Sequence, residues 1–220
     1  MELDAYEQRV LGCLVEKRIT TPDVYPLSTN GIRTACNQST NRDPVMHMDD
    51  EQVREACQGL YRAGLARLAS GAGSRTIKYR HLAQEGLNVG EAELALIAVL
   101  LLRGPQTVGE LRTRSERLYA FESLGTVTAV LDQLQRRELV ELLEREPGRK
   151  EPRYAHRLGP RASGSPAVAP IAEPVSAPAP SAPFTPAPAA PGEAGLSTAE
   201  LEARIAELET RVAALEELLD

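Results

Sequence analysis

Within its first 160 residues the chain states one pattern twice, and no other feature constrains the fold as much. Val53, Leu60, Leu65 and Leu68 have the same mutual spacing as Val127, Leu134, Leu139 and Leu142, each pair offset by 74 positions. One position further apart, Lys78-Tyr79-x-His81 matches Arg153-Tyr154-x-His156. Upstream, Val10, Leu11, Leu14 and Val15 match Leu96, Ile97, Leu100 and Leu101 at a larger offset. Each copy reads as a helix, a polar stretch, a helix, then two short strands around a Gly-containing turn. That order is the pattern of a winged helix-turn-helix. The expected fold is therefore mainly α with small β wings (α+β): two tandem winged helix-turn-helix domains over 1–83 and 88–159, each with its own apolar interior.

The elements follow from periodicity and end signals. In the first copy Leu3, Tyr6, Val10 and Leu14 set an apolar stripe on a helix of about 4–17. Thr20-Thr21-Pro22 ends it and is expected to give a one-rung strand. Ser28 is a suitable N-cap for a helix through Ile32 and Ala35. Asp49 and Asp50 open a third helix carrying Val53, Ala56, Cys57 and Leu60 on one face, with Gly64 at its stop. Leu65–Ala69 and Thr76–His81 alternate as strands. In the second copy Glu91–Leu102 is an apolar helix stopped by Gly104-Pro105, and Thr107-Val108 begins the next unit. Thr126–Arg137 is the third helix, and Leu139–Arg145 and Arg153–Leu158 are the strands.

Composition narrows the class. No apolar run approaches the roughly 18 residues of a membrane span, and the N-terminus lacks the basic start and apolar run of a signal peptide. The three cysteines, Cys13, Cys36 and Cys57, form no short-spaced pair and read as reduced thiols in a cytoplasmic protein. Residues 1–82 carry a net charge of +1, residues 83–159 a net −1 and the remainder −6, so neither repeat is strongly basic.

Beyond the repeats the composition shifts. Ten of the 16 prolines lie between Pro160 and Pro191, mixed with Ala and Ser, which reads as a disordered Pro/Ala-rich linker over 160–195. Ser197-x-x-Glu200 is then a capping box before a helix over 197–219. Leu201, Ile205, Leu208, Val212, Leu215 and Leu219 alternate steps of four and three, with Leu at d and mainly β-branched residues at a. Arg204 and Arg211 fall at g, Glu209 and Glu216 at e. Seam and flanks both select a parallel two-stranded coiled coil, so the chain is expected to dimerise with itself.

Several stretches carry a resemblance. Leu14-Val15-Glu16-Lys17 with Thr20-Thr21-Pro22, Tyr25-Pro26-Leu27-Ser28-x-Asn30-Gly31, Thr34-Ala35-Cys36-Asn37-Gln38 and Asn41-Arg42-x-Pro44-Val45-Met46 closely resemble the YceH-like family of bacterial proteins. Leu101-Leu102-Arg103-Gly104-x-Gln106-Thr107, Gly109-Glu110-Leu111-Arg112-x-Arg114, Arg145-Glu146-Pro147-Gly148 and Arg153-Tyr154-x-His156 continue it. The likeness covers about residues 5–158. It implies a pair of winged-helix modules and no catalytic or binding residues, because the family is functionally uncharacterised.

The chemistry-bearing residues point to a non-enzymatic protein. His81 and His156 hold equivalent strand positions, which suits packing rather than metal ligation, and Cys36 with His47 lacks a further ligand at useful spacing. Gly71-x-Gly73 lacks the third glycine and following helix of a phosphate loop. No cofactor and no metal are expected. The fold suggests a DNA-associated, transcription-regulator-like role, an argument by analogy. In the first copy Asp49-Asp50-Glu51 and Glu55 would repel phosphate. The second copy is better equipped, and its candidate nucleic-acid contacts are Arg112, Arg114, Arg117, Thr126, Thr128, Gln133, Arg137, Arg149, Lys150 and Arg153. In the first copy Asn30, Arg33, Asn37, Gln38, Asn41 and Arg42, with Asp49 and Asp50, form a candidate surface for an unknown protein partner. The alternative role is a protein-interaction module that uses these surfaces without DNA.

Overall fold

The computed structural model describes residues 2–69, 76–144 and 151–160. The linker expected over 160–195, apart from Pro160, the coiled-coil helix expected over 197–219 and both hairpin tips lie outside the described residues. Those residues form a mixed α+β structure, mostly helical, with seven α-helices and two small antiparallel sheets.

Helix α1 (Ala5–Thr20) opens on a capping box. The Asp4 carboxylate accepts from the Tyr6 and Glu7 N–H groups at 2.8 Å each, while Glu7 accepts from the Asp4 N–H at 2.9 Å. The helix outruns its expected end, with Lys17 and Arg18 in a last turn that favours cations. The one-rung strand expected at Thr20–Pro22 does not form. Pro22 has no N–H for a ladder, and Pro22–Val24 is instead a 3₁₀ turn. The strand lies later, at β1 (Leu27–Ser28), and Ser28 then caps α2 (Thr29–Cys36) by accepting from the Gly31 N–H at 3.2 Å. Helix α3 (Asp50–Arg62), capped by Asp49, leads through Gly64 at φ +72° into β2 (Ala66–Leu68) and β3 (Lys78–His81). The strands order as β1-β3-β2, all antiparallel, with Tyr79 of the central strand between Leu27 and Leu68.

A short α4 (Ala83–Leu87) joins the halves. It falls between the two expected domains, and five residues are too few to show a helical period. The second half repeats the order: α5 (Glu91–Arg103), α6 (Val108–Ser115), α7 (Leu124–Arg136), β4 (Val140–Leu142) and β5 (Tyr154–His156). Where the first half sets β1 against Tyr79, the second sets Gln106 against Tyr154, with N–H···O bonds of 3.0 and 2.8 Å. Most of the matched residues share their environments, Leu65 (buried) and Leu139 (partly buried) excepted. Val53 and Val127 are buried, as are Leu60 and Leu134, Tyr79 and Tyr154, and His81 and His156. Leu68 and Leu142 are exposed, at 54% and 44%.

The two interiors are not sealed from one another. The buried side chains of both halves form one continuous cluster, joined through α1 against α5. Nine consecutive residues of α5, Leu94–Leu102, are buried, which explains an apolar run without a polar face. On α1 the facing surface is opened by Gly12. A Cβ there would stand 2.9 Å from Leu102 Cγ and Cδ2 and 3.2 Å from Leu101 Cβ. The N-terminal segment closes the same junction. The Leu3 N–H donates to the Leu158 carbonyl at 2.6 Å, and the buried Gln8 amide donates to the carbonyls of Leu3 at 2.8 Å and Pro160 at 2.9 Å.

Gly12→Val should therefore force α1 away from α5 and lower the unfolding free energy by about 1–3 kcal/mol. Urea denaturation checks this; an unchanged midpoint would show that the helices do not meet at this residue.

Candidate nucleic-acid interface

Of the ten second-half candidates, four arginines already have work inside the protein. Arg137 donates to the carbonyls of Leu87 at 2.6 Å and Asn88 at 2.8 Å and pairs with Glu93 at 3.3 Å, so it ties α7 to the α4–α5 connection. Arg153 pairs with Glu110 at 3.0 Å and donates to the Pro105 carbonyl at 2.8 Å. Arg114 pairs with the same Glu110 at 3.5 Å and donates to the Gln106 side-chain carbonyl. Arg112 reaches the carbonyls of Phe121 and Glu122 at 3.4 and 3.3 Å. The Thr126 and Thr128 hydroxyls donate to backbone carbonyls of their own first turn, Ser123 at 2.7 Å and Leu124 at 3.0 Å. Arg117 and Gln133 are exposed, and neither side chain has a hydrogen-bond or ion-pair partner among the described residues. Arg149 and Lys150 lie outside the described residues. Arg136 at the end of α7 is also exposed and was not singled out from the sequence.

The eight first-half candidates fall into separate local sets of bonds, and of the eight only Arg42 is buried. The Arg42 side chain is 0% accessible and uses its whole donor fork. Its Nε donates to the Ala35 carbonyl at 3.0 Å. Its two Nη atoms reach the Glu16 carboxylate at 3.1 and 2.5 Å, the Asn41 carbonyl at 2.9 Å and the Gln38 side chain at 2.9 Å. Asn37 clamps Met48, donating to its carbonyl and accepting from its N–H, both at 2.8 Å. Arg33 donates to Asn30 at 2.7 Å and pairs with Asp50 at 3.2 Å, while Asp49 caps α3. The carboxylate-free polar run is thus largely a self-satisfying loop. Asn30, Ser39, Thr40 and Asn41 of this run face solvent.

Beside it lies a residue the sequence reading missed. Arg9 is buried within the apolar face of α1 and donates to the carbonyls of Cys36 at 3.2 Å and Pro44 at 2.5 Å, leaving its Nε without a partner. Its signal was an arginine set directly before the apolar run Val10–Val15. The three cysteines are buried free thiols, and burial pushes Cys57 up to about 12. Among the described residues no group of three or more His, Cys, Asp or Glu side chains gathers as a metal site. No described helix is long and apolar enough to cross a membrane.

A second missed cluster surrounds His81, with Arg18, Tyr25, Arg80 and Glu85 around a cavity of about 120 Å³. The Tyr25 hydroxyl accepts from the His81 N–H at 2.7 Å. The Ala83 N–H points at His81 Nδ1 at 3.3 Å, so the ring proton belongs on Nε2. The 3.5 Å approach of Arg18 to Nε2 then brings two donors together. Burial, reinforced by Arg18, lowers the imidazole to about 4.

Two outcomes follow. Glu16→Ala strands the buried Arg42 guanidinium and should cost about 3–5 kcal/mol in urea denaturation; a loss below about 1 kcal/mol would show that the pair behaves like a solvent-exposed one. For His81, the unfolded ring titrates near 6.5 and the folded ring near 4. The unfolded chain therefore binds the extra proton, and stability, full above about pH 6.5, drains as pH falls toward 4, by up to roughly 3 kcal/mol. Between pH 7 and pH 4.5 the stability of His81→Gln should fall less than that of the unsubstituted protein. Equal losses would refute the assignment.

Comparison with known proteins agrees with this architecture in extent. A family described as "Protein of unknown function, DUF480" matches residues 3–149. A UPF0502 protein of Pelobacter propionicus is 55% identical over 161 residues, covering 72% of this chain and 73% of its own. A UPF0502 protein of Pectobacterium atrosepticum is 48% identical over 169 residues (74% and 80%), and one of Geobacter sulfurreducens is 51% identical over 158 residues (71% and 72%). The chain belongs to the DUF480/UPF0502 family of uncharacterised bacterial proteins, which is the family its YceH-like stretches pointed to.

Proposed function

We propose that this protein is a non-enzymatic, DNA-associated regulator built from two tandem winged-helix modules and paired through its C-terminal heptads. The observation that carries the reading is the repeated order of three helices and a hairpin, with a strand or bridge pairing at Tyr79 and again at Tyr154. In such a module the third helix approaches the groove and the hairpin touches backbone. The second half supplies the contacts: Arg117, Gln133 and Arg136 on the described surface, with Arg149 and Lys150 from the sequence between β4 and β5. The internally engaged Arg137 and Arg153 position elements rather than meet phosphate. With so few free cations, binding is weak per subunit and depends on pairing through Leu201, Ile205, Leu208, Val212, Leu215 and Leu219 for avidity.

A second reading, a protein-docking module, is favoured by one feature. The hairpins repeat an exposed leucine, Leu68 and Leu142, and Ile77 and Leu124 are exposed as well.

Gel shift of the full chain on duplex DNA should show binding at low salt that weakens with salt in proportion to about three to five phosphate contacts per subunit. Charge reversal of Arg117, Arg149 and Lys150 should abolish it, and Leu208→Pro should weaken it along with dimerisation in light scattering. DNA binding indifferent to those three cations, or none at low salt, would leave the docking role.

A further inference from the structure

Where α1, the end of α5 and the end of α6 meet, three arginine side chains help line one crevice. They belong to Arg103, Arg114 and Arg117, with Thr20, Asn41 and Glu16 completing the polar wall around about 70 Å³. Three cations at one crevice favour an anion there, and the carboxylates nearby are shared with other arginines. Both oxygens of Glu16 are taken by Arg42, at 3.1 and 2.5 Å, with Lys17 a further 3.8 Å away. Glu110 is divided between Arg114 and Arg153. Arg117 has no partner among the described residues. Glu16 and, more weakly, Asp43 act on Arg103 as counter-charges, but Arg114 and Arg42 act on it more strongly and with the opposite sign. Burial first, then those two arginines, lower the proton affinity of Arg103, as expected of a cation short of a counter-charge.

The wall is also pre-set. Asn41 adopts a left-handed backbone at φ 60° and its side-chain oxygen accepts from Arg103, which holds that guanidinium at the crevice and leaves the Asn41 amide N–H groups as donors. The Thr20 hydroxyl proton is already given to the Glu16 carbonyl at 2.9 Å. The remaining donors are therefore nearly all guanidinium or amide N–H, the set that suits an oxyanion.

We propose that this crevice is an oxyanion site that takes one phosphate group, free or as the head of a small monoester, gripped by Arg103, Arg114 and Arg117. The volume is about that of two waters in the liquid and far below the roughly 300 Å³ of a drug-sized site, so only the head group enters. Phosphate, a dianion with tetrahedral acceptors, offsets three guanidiniums better than a carboxylate does. The site joins a helix of the first half to two of the second, so occupancy tightens the junction. It lies apart from α7 and the hairpins.

Thermal unfolding of the full chain tests this, in inorganic phosphate or glycerol phosphate, each against sodium chloride at matched ionic strength. Phosphate should raise the Tm by about 2–4 °C over chloride, growing with the logarithm of its concentration. Arg117→Gln, which removes no internal bond, should keep the chloride Tm and lose most of the increment; Arg103→Gln with Arg117→Gln should abolish it. A larger increment from glycerol phosphate would assign a monoester, and an equal one the free ion. No increment over chloride in either salt, or one that survives in Arg117→Gln, overturns the site. No DNA is present, so failure here is distinct from failure of the DNA-binding reading.

Discussion

The contact between α1 and α5 governs the rest of the molecule. Each repeat is too small to bury much apolar surface alone, and each offers its first helix to the other. Gly12 lets Leu101 and Leu102 come within van der Waals distance of the α1 backbone, and nine residues of α5 vanish from solvent as a result. The duplicated chain is thus one folding unit in its interior even where its elements repeat. The expectation of two separately closed interiors fails for this reason: a helix apolar on every side needs neighbours on every side.

That junction also decides what the arginines do. Read as a list, they resemble a phosphate-binding set. In space, Arg42, Arg137 and Arg153 satisfy carbonyls and carboxylates where loops cross helix ends. A guanidinium suits this because one planar fork serves several acceptors that a lysine could not meet together. Such residues stabilise the framework that would present a surface; they are not the surface.

Much of the architecture was legible locally. The Ser28, Asp49 and Thr107 caps, the Gly64 and Gly104 stops and the third helices follow from short-range chemistry. The 74-residue spacing correctly pairs residues of like burial, from Val53 and Val127 to the exposed Leu68 and Leu142. Less was legible in the candidate site. Spacing placed Arg42 in a polar loop, yet its side chain is inaccessible and paired with Glu16, 26 residues earlier. Arg9 went unread, and His81 was read for packing without its neighbours Arg18 and Tyr25, since these partners come from distant segments.

By itself the sequence determined element types, caps, the duplication and family membership, because these depend on periods of two or 3.6 residues and on neighbours a turn away. Only the tertiary structure decided that the two interiors merge, which cations are engaged inside the protein and which line one crevice. Those outcomes depend on burial and on distances between side chains far apart along the chain, and a charge carries no mark of the partner that folding will bring to it.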